Sequence, residues 1–315
     1  MSLSEAPLFT DVEPAPLPGA AYWAHTSDGL RIRLGVWQPA DARGTVLLFP
    51  GRTEYIEKYG PAVGEIAARG YASIVIDWRG QGLADRMLDD ANIGHVHRFR
   101  DYQRDIAAMV DAARSLNLPK PFFLLAHSMG GCIGLRALYQ GLPVVAAAFS
   151  GPMWGIKMAP HLRPVAWTLG RIIPALGQGH LRAPGTEKVP YVLGAPFKDN
   201  TLTTDPDMFD MMQKQLRAHP GLSLGGPSIV WLREALDETL ALDRRQAPKM
   251  PCRTYLGTNE RIVHTGRIHD RMATWENGAL HLIDGGEHEI MMETPKKRVA
   301  FFDDMTAFFD KNCAQ

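Results

Sequence analysis

A serine hydroxyl attacks a carbonyl carbon only when a base takes its proton, and Ser128 lies in a local sequence that would expose it for that task. The apolar run 122–126 leads through His127 into Ser128, Met129, Gly130 and Gly131, and small residues (Cys132, Gly134, Ala137) continue a helical pattern. Strand, tight turn and small-residue helix form a nucleophile elbow, in which a strained backbone lifts the serine above a sheet edge at a helix N-terminus. Gly130 fills the second glycine position of G-x-S-x-G, and Ala126 stands at the first. A Ser128 that merely caps a helix is the competing reading.

The base must be a histidine held by a carboxylate, and in this architecture serine, acid and histidine follow in that order at the ends of successive strands. The apolar run 252–257 is followed by Glu260, and the run 279–283 by Asp284 and then His288. Glu260 is therefore expected to orient His288, with Asp284 as the substitute acid. Among the eleven histidines, His25, His219 and His269 read as surface groups. His127, adjacent to the nucleophile, is expected to buttress the elbow. An oxyanion hole needs two N–H donors, one from the residue after the nucleophile and one from an early strand-to-helix loop. Met129 and Arg52 occupy those places. The Arg52 side chain has two readings, as a structural or solvent-facing cation or as a contact for an anionic substrate group.

The elements that must carry these residues alternate. A hairpin is expected over 22–26 and 30–37 around Ser27, Asp28 and Gly29. Continuous apolar runs at 45–49, 72–76, 122–126, 144–149, 252–257 and 279–283 read as strands buried on both faces. Helical periodicity over 59–69, 101–116 and 129–139 separates several of them, which makes βαβ units and a parallel sheet flanked by helices. A final helix starts at Thr294 and Pro295 and presents Val299, Phe302, Met305 and Phe309 on one face. The alternation breaks after 151. Residues 152–248 read as an inserted, mainly helical cap, 20–151 and 249–315 as an α/β core, and 1–19 as a loose arm. Met153, Trp154, Met212 and Trp231 are candidate walls of an adaptable apolar pocket, although an inserted unit also needs a core of its own.

Composition excludes other classes. The chain has 315 residues, 45% hydrophobic and 22% charged, and its 34 Lys plus Arg balance 34 Asp plus Glu. No global field draws nucleic acid. Three singly scattered cysteines suit a reducing, cytoplasmic setting. Residues 1–18 carry acids and prolines rather than a secretory pattern. No apolar run approaches the roughly 20 residues of a transmembrane helix, which leaves peripheral contact with a lipid surface open; oligomeric state is not legible at this level. Residues 80–85 lack the third glycine of a dinucleotide loop, and the run from His288 ends at Met292 where a zincin needs histidine. His95 and His97 form an isolated pair. No metal and no cofactor are expected.

Taken together, these residues resemble the serine α/β-hydrolases, most closely the branch holding monoacylglycerol lipases, bacterial lysophospholipases and some serine aminopeptidases. The resemblance spans residues 30–309. Residues 77–82 are similar to that branch's D-x-R-G-x-G loop, and Gly51 with Glu54 to its H-G-x-x-E oxyanion loop. Pro50, Ala126 and Glu260 stand where histidine, glycine and aspartate are usual. The resemblance implies an α/β-hydrolase fold, an acyl-enzyme, and a small-molecule or lipid ester as substrate, such as a lysophospholipid or monoacylglycerol. Two rivals remain. An aminopeptidase would hold an amine with cap carboxylates, for which Asp205, Asp207, Asp210 and Glu234 are available, and a non-catalytic ligand receptor would keep only the fold.

Overall fold

Nine strands form one sheet in the order β1-β2-β3-β5-β4-β6-β7-β8-β9 in this computed structural model, which describes residues 3–159 and 161–313. They are β1 (Ser4–Ala6), β2 (Gly19–His25), β3 (Arg31–Trp37), β4 (Thr45–Phe49), β5 (Ala72–Asp77), β6 (Phe122–His127), β7 (Ala147–Ser150), β8 (Cys252–Gly257) and β9 (Gly278–Ile283). The first three are antiparallel, and β3 meets β5 antiparallel; from β5 onward every pair is parallel.

Strands β4, β5, β6 and β7 are buried along their whole length because helices cover both faces. On one side lie α1 (Gly60–Ala68) and the carboxy-terminal helix α9 (Pro295–Asn312). On the other lie α2 (Tyr102–Ser115), α3 (Ser128–Tyr139) and α8 (Thr265–Ala273). Between β7 and β8 the chain forms α4 (Leu162–Ala175), α5 (Tyr191–Gly194), α6 (Pro206–Ala218) and α7 (Ile229–Asp243).

Three expectations need adjustment. The amino-terminal stretch is not loose over its described part: β1 pairs with β2, and Arg33 donates to the Pro7 carbonyl; Met1 and Ser2 lie outside the described residues, as does Pro160 of the insertion. A three-residue edge strand pairs through its backbone and leaves no side-chain period to read. β9 is an edge strand with Leu282 56% exposed, so its apolar run is not buried on both faces. Val299 is exposed, and the face α9 buries is carried by Phe301, Phe302, Met305, Phe308 and Phe309. Helix α7 of the insertion packs on α4 and also reaches the core's helical layer: Arg136 of α3 makes two bonds to Glu238 at 2.5 and 3.0 Å, and Ala235 and Leu242 join the apolar cluster of α2 and α3.

Candidate active site

The first residue of α3 is Ser128, with φ of +48° in a region costly for any side chain but glycine. The elbow can be this tight because its neighbours are small. A Cβ on Gly130 would stand 2.1 Å from the Phe49 carbonyl oxygen, so only glycine lets the helix start against the loop after β4. Ala126 is accommodated where glycine is usual, fully buried in β6 opposite Phe49 and Phe149 in register.

The loop after β9 brings His288 to this serine. Ser128 Oγ lies 2.8 Å from His288 Nε2, and His288 Nδ1 lies 2.6 Å from Glu260 Oε2 in the loop after β8. The other carboxylate oxygen of Glu260 accepts the Ile262 and Val263 amides at 2.6 and 3.1 Å. Burial raises the Glu260 pKa, but the adjacent imidazole and those amides outweigh it and hold the carboxyl below its ordinary value. Asp284, the substitute acid, is exposed, and the imidazole bond goes to Glu260. The histidine loop is in turn tied to the insertion, where Thr201 O accepts from His288 N and Leu202 O from Glu289 N.

Met129 is the second residue of α3, in the first turn, whose N–H groups have no intrahelical acceptor. Arg52 sits in the loop after β4, fixed from several sides: Gln81 Nε2 donates to Gly51 O at 2.8 Å, Trp78 Nε1 to Pro50 O at 3.0 Å, and Gly51 N to Glu54. The segment 77–82 thus braces the loop after β4, and the Pro50 carbonyl, where histidine is usual in the family resembled, is held by Trp78.

Beneath the loop lies an ion cluster that motif reading largely missed. Lys58 Nζ stands 2.7 Å from both Glu54 and Glu289, all three buried. His127 donates from Nδ1 to Ser150 O at 2.9 Å and points Nε2 at Glu289 (3.2 Å) and Glu54 (3.5 Å). Burial disfavours the imidazolium, but the two carboxylates overcome it and raise the His127 pKa. Burial likewise works against ionised Glu289, yet Lys58 and His127 hold its carboxyl well below the ordinary range. Glu54 was visible from the oxyanion motif and His127 from its place beside the serine; the Glu54–Lys58 spacing of four is the signal that was there to extend them. Glu54, His127 and Glu289 bring potential metal-ligand atoms within 4.8 Å of one another, but the Lys58 ammonium already occupies the cationic place among them. His95 and His97 bond to one another at 3.3 Å, and His95 bonds Ser228 at 2.8 Å.

Ser128 and His288 open on a cavity of about 890 Å³ whose wall includes Met153, Met212 and Trp231, together with Ile156, Val192 and Leu216. Trp154 is not part of that wall. It is 1% exposed, donates to the Gly131 carbonyl and stacks on Trp275 at 6.1 Å, so it supports the elbow from behind. Among the described residues no helix is long and apolar enough to cross a membrane.

Known proteins agree with this architecture. The family model described as serine aminopeptidase, S33 matches residues 40–295. Lysophospholipase L2 of Escherichia coli strain K12 is 29% identical over 281 residues, covering 85% of this chain and 80% of that protein. A probable lysophospholipase L2 of Haemophilus influenzae is 28% identical over 272 residues, 83% of this chain and 82% of its own. A crystal structure of a soluble variant of monoglyceride lipase from Saccharomyces cerevisiae superposes with a TM-score of 0.70 at 20% identity, over 98% of this chain and 99% of that one. That likeness shows the α/β-hydrolase fold. With the family match spanning most of its length, the chain belongs to the serine aminopeptidase S33 family of α/β-hydrolases.

Proposed function

We propose that this protein is a serine hydrolase of carboxylic esters, of the lysophospholipase and lipase kind, acting through an acyl-enzyme on Ser128. The observation that carries the reading is the hydrogen-bonded chain Ser128–His288–Glu260 at the floor of an apolar cavity. Ser128 Oγ attacks the acyl carbon while its proton passes to His288 Nε2. The imidazolium, held through Nδ1–H by the Glu260 carboxylate, returns that proton to the departing alcohol as the C–O bond breaks. Water then repeats the sequence against the acyl-enzyme, giving the fatty acid and restoring the serine. The N–H groups of Met129 and Arg52 serve the oxyanion. Met153, Ile156, Met212 and Leu216 supply flexible apolar surface for an acyl chain.

The relatives named as lysophospholipases and the yeast monoglyceride lipase support an acyl-ester substrate. The four cap carboxylates named for the amidase alternative do not serve it, and the insertion carboxylate that does border the cavity, Glu187, is exposed. Asp205 caps α6, Asp210 pairs with Lys214 at 2.7 Å, Glu234 accepts the Phe99 amide, and none of them, nor Asp207, walls the cavity. Three free thiols, Cys132, Cys252 and Cys313, support a cytoplasmic setting as part of this proposal.

The test combines a fluorophosphonate label, mapped by peptide mass spectrometry, with turnover of p-nitrophenyl esters of increasing chain length. Labelling of Ser128, loss of turnover in Ser128→Ala by about 10⁵- to 10⁶-fold, and a gain with chain length are expected. Turnover that survives Ser128→Ala would refute the mechanism. A flat chain-length profile would refute the lipid substrate, and absence of any serine-dependent turnover would favour the receptor alternative.

A further inference from the structure

Arg52 walls the same cavity as Ser128, yet among the described residues no carboxylate lies within ion-pair distance of it. The contrast with other inward arginines is informative. Arg33 pairs with Asp77 and Glu57, Arg79 with Asp28 and Asp105, and Arg136 with Glu238. Arg86 and Arg271 lack a carboxylate but each donates to several oxygens, Arg86 to the carbonyls of Gly80, Gly82, Gly221 and Ser223, Arg271 to those of Leu242 and Arg245 and to the Tyr139 hydroxyl. The Arg52 guanidinium makes one bond, from Nη2 to the Gly225 carbonyl, and lies over the Trp231 ring at 5.2 Å. Its Nε is shielded from solvent with no acceptor, and Nη1 has none among the described residues.

Burial is the main pressure on this charge, and the Arg182 guanidinium adds to it; the pKa falls to about 10, which leaves Arg52 cationic at neutral pH. Arg182 itself donates to backbone carbonyls of Asn92 and Glu187 and stands 3.6 Å from Asp90. Glu187 also borders the cavity but is exposed and makes no ion pair with Arg52. An uncompensated guanidinium in a half-dry wall is costly unless an anion meets it. A planar fork with free donors matches phosphate oxygens.

Resting on the ester-hydrolase reading, we propose that the Arg52 side chain is the specificity-determining group for the substrate's head group, receiving the phosphate oxygens of a lysophospholipid while the acyl chain lies against the apolar wall.

The experiment compares lysophosphatidylcholine with the monoacylglycerol of the same acyl chain, on wild type, Arg52→Gln and Arg52→Lys. Arg52→Gln is expected to lower kcat/KM for the phosphate-bearing substrate about 10- to 100-fold relative to the neutral one, mainly through KM, as for a lost charge-assisted hydrogen bond; Arg52→Lys should recover part of the ratio. Glycerol 3-phosphate should inhibit wild-type hydrolysis of p-nitrophenyl butyrate competitively and lose that effect in Arg52→Gln. An equal fall on both lipids would show that the side chain only supports its own loop and would overturn the assignment, as would absence of glycerol 3-phosphate inhibition in wild type. If both lipids are cleaved and the ratio is unmoved, the Arg52 proposal alone falls; if wild type cleaves p-nitrophenyl butyrate but neither lipid, the lipid substrate falls with it, and if wild type cleaves none of the three esters, the ester-hydrolase reading falls and takes the proposal with it.

Discussion

Replacing Lys58 by methionine removes a buried ammonium 2.7 Å from Glu54 and from Glu289 while keeping most of the apolar stem. Both carboxylates lose their shared counter-charge. Glu289 retains His127 at 3.2 Å, and Glu54 retains the Gly51 amide and the Tyr59 hydroxyl, so roughly one pair's worth of compensation is lost rather than two. Breaking a buried pair by deleting one partner costs about 3–5 kcal/mol, most of it from the charge left behind. The cost should depend on pH with a definite sign. Without Lys58 the Glu289 carboxyl loses the largest influence that holds its pKa down, so its folded-state value rises and the folded variant takes up a proton on acidification before wild type does. Its deficit relative to wild type then shrinks as pH falls. Urea unfolding of both proteins at about pH 8 and about pH 5.5 measures this. A deficit below about 1 kcal/mol at the higher pH, or one equal at the two pH values, would refute the claim that the ammonium neutralises two dry carboxylates.

Glu260→Gln should lower kcat by about 10⁴-fold. The inner amide oxygen must stay on the Ile262 and Val263 N–H groups, which turns the NH₂ toward His288 Nδ1 and selects the tautomer whose Nε2 already carries a proton; steady-state kinetics check it, and near-normal kcat would contradict the orientation. Gly130→Ala would place a methyl 2.1 Å from the Phe49 carbonyl, so soluble yield and melting temperature should fall together with fluorophosphonate labelling, and an unaffected variant would mean the loop yields freely. Acid should unfold the protein from about pH 4.5 downward, because Glu260, Glu289 and Glu293 all have folded pKa values lowered from 4.5 and their stabilisation disappears as pH drops through those folded values. The raised pKa of His127 acts oppositely: its contribution is complete below the unfolded value of 6.5 and is lost on going alkaline through the folded one. A thermal-shift profile across pH reads both limbs, and a flat acid limb would contradict the first.

Much of the sheet was legible because buried parallel strands are written as unbroken apolar runs, and the elbow because its steric demands leave only small residues around Ser128. The position of Glu260 followed from strand order, since an acid must end the strand beside the histidine's. What stayed hidden depended on contacts between distant segments. β1 is held by backbone pairing that imposes no side-chain pattern. Leu282 and Val299 satisfy an apolar period yet face solvent at edges that no local rule identifies. Trp154 is chemically suited to a pocket wall, but the stacking with Trp275 that takes it into the core joins residues far apart in the chain. Lys58 and Glu289 also lie far apart, and only the folded loops show that one neutralises the other.

The paired backbone bonds that the His288 and Glu289 amides donate to the Thr201 and Leu202 carbonyls stitch the insertion to the loop carrying the imidazole. Grafting a relative's insertion onto this core would reset the imidazole unless residues 200–205 travel with the host, so substrate range and catalytic alignment are not independently exchangeable modules in this chain.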